Sequence, residues 1–242
     1  MPVGTGVFAV AKVKGHTLNF SGNFKKLGEV DIKPFQSLIN RLDEDHWLSD
    51  TGRQARYEVH KHTQNIALVY DLDFRHVHPT VRPPFNYFEP ALMPIVKQVA
   101  DHYDNTPAGL ELAERFGQGY CVRANIVRLN AGGSIAPHQD KNFSLNHSHR
   151  VHIPIITNPA VSFTIDQETR HLRAGEIVEI NNRRMHSVVN AGEDARVHLL
   201  IDWVIAGEQC CCARETRRDE RCNPQACMAT DRLQVPCHCH PA

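Results

Sequence analysis

Between residues 119 and 206 the chain is built from short apolar or alternating runs. They are Tyr120–Val127, Ser134–Ile135, Val151–Ile156, Val161–Ile165, Ile177–Ile180, Ser187–Val189 and Val197–Val204. Turn residues separate them: Asn130 to Gly133, Thr157 to Pro159, Ala174 to Glu176, Asn181-Asn182 and Ala191 to Glu193. Glycine and asparagine tolerate the left-handed backbone of tight turns, and proline cannot continue a ladder. Many short strands at roughly 8–12-residue spacing predict a sandwich or barrel, and a jelly roll is the natural candidate.

Residues 1–118 read differently. Pro34 stands at a helix start, ahead of Phe35, Leu38, Ile39 and Leu42, an apolar stripe at helical spacing. Gln64 to Tyr70 reads as a buried strand, and Pro79, Pro83 and Pro84 enforce an extended segment. Phe88, Leu92, Ile95, Val96 and Val99 form a second amphipathic helix ending near Tyr103 to Asn105. The opening MPVGTGVFAVAKVKG lacks a basic leader region and reads as a first strand. The expected organisation is an N-terminal α/β flanking region packed on the core (1–118), a jelly-roll catalytic core (119–206) and a loosely ordered cysteine-rich tail (207–242).

Composition adds limits. Lys+Arg and Asp+Glu balance at 27 each, so no basic excess points to nucleic acid. No apolar run approaches the ~20 residues of a membrane span, and a cytoplasmic location is expected. Of the 8 cysteines only Cys121 lies in the body; the rest run from Cys210 to Cys239. Cysteines confined to one end do not make a disulfide framework. Cys222, Cys227, Cys237 and Cys239, with His240, are candidate zinc thiolates at unusual spacing, and the simpler reading is an unstructured extension.

The candidate chemistry lies in the strand-rich region. His138 and Asp140 are two apart, so on a strand they project to the same side. His186 follows from a distant strand and Arg196 ten positions later. Two imidazoles and one carboxylate form the triad that holds non-haem Fe(II) and leaves positions open; Mn(II), Zn(II) or Ni(II) suit the same ligands. An H-x-D pair also arises by chance in a chain with 16 histidines. Arg196 sits in an apolar strand, where a charge needs a partner. A dicarboxylate cosubstrate held by the guanidinium fork would provide one, and so would solvent or an internal acid such as Asp202. Arg150 and His152 repeat the two-apart pattern and would line the same cavity, or stand at its rim. His198 suits a site role or a satisfied core position.

Four segments carry a family resemblance: IVRLNAGGSIAPHQD (126–140), RVHIPIIT (150–157), HLRAGEIVEINNRRMHSVVN (171–190) and RVHLLIDW (196–203). Together they resemble the aspartyl/asparaginyl β-hydroxylase family of Fe(II)/2-oxoglutarate dioxygenases, in whose broad group the bacterial proline cis-hydroxylases fall. The resemblance implies a mainly β fold, with a double-stranded β-helix (jelly-roll, cupin-like) core and flanking N-terminal α-helices. It implies that His138, Asp140 and His186 are the iron ligands, that Arg196 binds the far carboxylate of 2-oxoglutarate, and that Arg150, His152 and Asn125 contact the cosubstrate. Animal aspartyl hydroxylases have glycine where this chain has Asp140, so their substrate does not transfer directly.

The implied activity is hydroxylation of an unactivated C–H of an amino acid, free, carrier-bound or in a peptide, of the Asp/Asn or Pro type. O2 and 2-oxoglutarate are consumed. Two other readings stand beside it: a cupin-type metal enzyme that uses no 2-oxoglutarate, and a non-catalytic jelly-roll binding protein. The implied partner is a small amino acid or peptide substrate, with neither nucleic acid nor membrane.

Overall fold

The alternating segments pair into two facing antiparallel sheets in the computed structural model, which describes residues 20–49, 58–71, 79–140, 143–146 and 148–205. The opening segment (1–15) and the cysteine-rich tail with its candidate zinc ligands lie outside the described residues.

Eight strands make the jelly roll. They are β4 (Tyr120–Leu129), β5 (Ser134–His138), β6 (His149–Ile156), β7 (Val161–Ile165), β8 (Glu168–Arg170), β9 (Glu176–Ile180), β10 (His186–Asn190) and β11 (Arg196–Val204). Consecutive strands change sheet at nearly every turn, so neighbours in space are distant in sequence. The smaller sheet runs β5-β10-β7-β8, and the centre of the larger runs β9-β6-β11-β4.

The N-terminal region does more than pack on this core. β1 (Phe24–Glu29) pairs with β9 at one edge of the larger sheet. At the other edge β2 (Thr63–Tyr70) pairs with β4, and β3 (Thr80–Val81) pairs with β2. Among the described residues the larger sheet therefore has seven strands. β2 matches the expected 64–70 strand. β1 carries three polar positions in FKKLGE and gives no clean apolar alternation, because it is an edge strand that only half buries.

Side-chain alternation divides the larger sheet. On one face Ile66, Leu68, Ala124, Ile126, Val151, Ile153, Ile155, Val197, Leu199 and Ile201 form a core with α1 (Lys33–Ile39) and α3 (Phe85–Asp104). The helices α2 (Glu44–Leu48), α4 (Pro107–Phe116) and α5 (Phe143–Asn146) complete the described set. On the other face Phe24, Leu129, Val178 and Ile180 meet Ile135, Val161, Phe163, Ile165 and Val188 of the smaller sheet. Every second residue of β4, β6 and β11 thus points between the sheets. Among the described residues no helix is long and apolar enough to cross a membrane.

α3 contains Pro90 and Pro94 yet remains helical. Both prolines lie on the exposed side, and so does Asn86, whose carbonyl loses its partner to Pro90 and is left to water. Each interior proline costs about 3 kcal/mol. Phe88, Leu92, Ile95 and Val99 are all buried on the opposite side, and each contributes about 1.5–3 kcal/mol, which offsets the loss.

The helix side of the sheet also holds a buried acid. Glu179 accepts a 2.6 Å bond from His149 Nδ1 and lies 3.4 Å from Lys25 Nζ. Burial pushes its carboxyl up, but His149, Lys25 and Tyr103 outweigh this and hold it at about 2. A carboxylate depressed in the fold adds stability that is present above its unfolded pKa and is lost as pH falls through the folded one. The contribution is roughly 3 kcal/mol, lost between about pH 4.5 and 2. Glu179→Gln is therefore expected to lower the urea midpoint clearly at pH 7 and by less at pH 3. An equal loss at both pH values would remove the charge from the explanation.

Candidate metal and cosubstrate site

His138 closes β5 and His186 opens β10, and the two are direct cross-strand partners. Their rings lie 4.3 Å apart between centroids. Asp140 lies just past β5, in the turn where its backbone N–H donates to the carbonyl of Asn182 at 3.2 Å. One ligand atom from each of His138, Asp140 and His186 lies within 4.8 Å of the other two.

The donor set suits a divalent ion. His138 Nδ1 is 2.8 Å from the carbonyl of Ala136, and His186 Nδ1 is 2.9 Å from that of Arg184. A carbonyl only accepts, so Nδ1 carries the hydrogen in both rings and Nε2 presents a lone pair. Burial pushes the His186 imidazole below its ordinary value, which keeps it neutral as a ligand must be. Burial alone would raise Asp140, but the Arg150 guanidinium beside it outweighs this, with help from the Asn182 amide, and holds the carboxyl far below the usual range. Two imidazoles and a carboxylate fit Fe(II), with no thiolate in the group to favour a softer site.

Arg196 begins β11 and its side chain enters the space between the sheets, being only 1% exposed. Nη2 donates to His198 Nδ1 at 2.7 Å, while Nε has no partner among the described residues. Among the described residues no carboxylate pairs with it. Burial pushes its guanidinium down to about 9, with no counter-charge acting the other way. More unpartnered polar atoms are close in the strand register: His198 Nε2, Asn125 Oδ1 and Asn65 Oδ1. Val127 pairs with both Asn65 and His198, and Asn125 is two positions along β4. A buried cation beside unmatched donors and acceptors fits an anion with further polar groups.

His152 lies one inward position along the neighbouring strand. Its Nδ1 is 3.3 Å from His198 Nδ1, and its ring meets Phe163 edge-on at 5.1 Å. Phe163 stacks on His186 at 6.3 Å. A continuous line therefore runs from Arg196 through His198, His152 and Phe163 to His186. Burial, then the charge of Arg196, pushes both His152 and His198 well below the ordinary imidazole value. Both stay neutral, which avoids further positive charge beside Arg196.

Arg150, expected to contact the cosubstrate, bonds two carboxylates of the protein itself. Arg150 Nε and Nη2 each donate to Asp202 at 2.8 Å, and Nη1 donates to Asp140 at 2.9 Å. The register explains it, since Arg150 and Asp202 are direct cross-strand partners. Asp202 lies six residues along β11 from Arg196, about 20 Å at ~3.3 Å per residue, too far to pair with it. A second buried pair, Arg123 with Asp71, adjoins this one; Arg123 also faces Asp202 in the register, and Ser144 donates to Asp71.

Several contributors have no signature in the sequence. His60 meets the His138 ring at 5.8 Å from a single 3-10 turn, Glu58–His60. Asn182 was legible only as a turn residue, although its amide reaches Asp140 Oδ2 at 3.2 Å. Phe163 falls within the expected Val161–Ile165 strand, with nothing to mark it as the neighbour of His186.

Residues 88–205 match the family model described as aspartyl/asparaginyl β-hydroxylase. A search of curated proteins finds no match. Among solved structures, the chain is similar to an oxidoreductase of the 2OG-Fe(II) oxygenase family from Burkholderia pseudomallei. Identity is 14%, coverage is 59% of this chain and 67% of that one, and the TM-score is 0.45. It is also similar to a Pseudomonas putida prolyl-4-hydroxylase at 11% identity, covering 76% and 93%, with a TM-score of 0.45. A viral collagen prolyl hydroxylase from Paramecium Bursaria Chlorella virus-1 matches at 6% identity, covering 76% and 96%, with a TM-score of 0.44.

Proposed function

We propose that this chain, whose residues 88–205 belong to the aspartyl/asparaginyl β-hydroxylase family, is an Fe(II)/2-oxoglutarate-dependent hydroxylase of an amino acid, free, carrier-bound or within a peptide. One observation carries this beyond the family: Arg196 is a buried cation without a carboxylate partner among the described residues, in the same interior as the His-Asp-His cluster.

In this reading His138 and His186 hold the metal through Nε2, and Asp140 through a carboxylate oxygen. Arg196 takes the far carboxylate of 2-oxoglutarate in a charge-assisted pair. Asn125, with the unpartnered His198 Nε2, supplies polar contacts around that end. The neutral His152 borders the cosubstrate. Phe163, Leu129 and Val188 form the apolar wall that keeps water from the interior. Bound Fe(II) would supply the redox chemistry: one atom of O2 goes to succinate as 2-oxoglutarate loses CO2, and the other becomes the substrate hydroxyl. The protein holds, orients and dehydrates the reactants, so no side chain is needed as a strong base.

The test is succinate release from 2-oxoglutarate with Fe(II) and ascorbate, across the amino acids and a peptide panel. Mass spectrometry then looks for the gain of one oxygen atom. Turnover is expected to stop when EDTA removes the metal and to return with added Fe(II). A reaction that proceeds equally without 2-oxoglutarate would favour a cupin-type metal enzyme instead. Metal-loaded protein that never forms succinate would favour a binding protein.

A further inference from the structure

We propose that Asn182 and the Arg150–Asp202 pair are positioning residues that tie back Oδ2 of Asp140, so that Asp140 meets a metal through Oδ1 alone. This rests on the metal site of the function proposed above and adds residues that the His-Asp-His cluster does not include.

A carboxylate on a metal has two options. It binds through one oxygen, or it swings and chelates through both, and the second takes an additional coordination position. Rotation about the last torsion of aspartate is soft, so the side chain itself does not choose. Here the choice is made from outside. Oδ2 receives a 2.9 Å bond from Arg150 Nη1 and a 3.2 Å bond from Asn182 Nδ2.

Both donors are themselves fixed. Arg150 is gripped by both oxygens of Asp202 at 2.8 Å, a bidentate and charge-assisted contact. All three residues are nearly excluded from water, with side-chain exposures of 8% for Arg150, 9% for Asp140 and 0% for Asp202. Asn182 is 1% exposed and its Nδ2 also donates to the carbonyl of Leu145 at 2.9 Å. Its own carbonyl accepts the Asp140 N–H at 3.2 Å. Asn182 therefore holds Asp140 at both backbone and side chain.

The placement gives this contact a further consequence. Asn182 lies in the turn between β9 and β10, four residues before His186. The same turn thus presents one ligand and clamps another, fixing the distance between the two ligand segments. A protein site contributing three ligand atoms rather than four keeps room for a bidentate keto acid and for oxygen. Arginine is suited to this role and lysine is not: only a planar fork reaches Asp202 with two donors while offering a third to Asp140.

Calorimetric titration of Co(II), which occupies Fe(II) sites without oxygen chemistry, tests this. Asn182→Ala is expected to lower Co(II) affinity by about 10–100-fold and to change the Co(II) visible spectrum as the carboxylate changes its mode. In an Asp140→Ala background the same substitution is expected to leave Co(II) affinity unchanged. Arg150→Lys, which keeps the charge, provides the second comparison if Asn182→Ala fails to fold, with a loss expected in the same direction. Co(II) affinity within about twofold of wild type in both folded variants would overturn the clamp. So would an equal loss in the Asp140→Ala background, which would mark a general structural role. Wild-type Co(II) binding without succinate formation would defeat the proposed function and leave the clamp intact. Unimpaired Co(II) binding by both folded variants, with succinate formed by the wild type, would do the reverse.

Discussion

Arg196→Met is expected to weaken 2-oxoglutarate binding by two to three orders of magnitude and, at the same time, to raise the melting temperature of the ligand-free protein. The first effect follows from removing the cationic half of a buried charge pair, which costs about 2–5 kcal/mol, or about tenfold for each 1.4 kcal/mol. The second follows from the unliganded state. Arg196 is fully enclosed, its Nε has no partner and no carboxylate neutralises it among the described residues. A guanidinium stays charged at neutral pH, so the ligand-free fold carries the whole desolvation cost. An unbranched apolar side chain of similar length removes that cost, and such replacements stabilise by about 1–4 kcal/mol. In a domain of this size that amounts to several degrees, at roughly 2–4 °C per kcal/mol. Adding 2-oxoglutarate and metal is expected to reverse the order, because only the wild type gains from binding by mass action. Melting curves with and without both ligands, together with a 2-oxoglutarate titration, measure the two effects. Unchanged 2-oxoglutarate affinity in Arg196→Met would detach Arg196 from the cosubstrate. A lower melting point for the ligand-free variant would mean that the buried cation has a compensating partner.

His186→Ala is expected to remove metal binding outright, with Co(II) affinity falling more than about 100-fold and metal-dependent succinate formation falling to background. Substitutions in the outer shell of a metal site already cost 10–100-fold, and loss of a ligand exceeds that. His186 is buried against Phe163 and His138, so a small cavity is created as well. The variant is expected to fold, because the surrounding barrel contacts of β10 with β5 and β7 are backbone ladders. A control separates ligand from packing: His186→Gln fills more of the space without an imidazole and should fail in the same way. Metal affinity near wild type in either variant would mean that the ion sits elsewhere, and the His-Asp-His reading would fall.

Much of this fold is legible in one dimension. The strands from Tyr120 to Val204 emerge from apolar runs broken by Gly, Asn and Pro, because those residues choose backbone conformations that ladders cannot use. The stripe of Phe88, Leu92, Ile95 and Val99 identifies a helix despite two prolines, since helical spacing concentrates them on the water side. β1 and the short β8 leave no such trace. Their residues are mostly polar or exposed, and they become strands only by pairing with β9 and β7.

What the sequence determines by itself is which residues are candidates for chemistry: His138, Asp140 and His186 as a set, which the fold brings within 4.8 Å of one another, and Arg196 as a charge out of place in an apolar strand. The H-x-D spacing nominates the pair, although Asp140 lies past the end of β5, so the turn and not strand parity aims its carboxylate. Only the tertiary structure decides who meets whom. Asp202 was as available to Arg196 as to Arg150 on paper, and the register of β6 against β11 gives it to Arg150. That assignment leaves Arg196 without a carboxylate partner among the described residues, while Arg150 and Asn182 both reach Asp140. Charges buried between two sheets pair with whatever the ladder places opposite, and the ladder is a property of the folded chain.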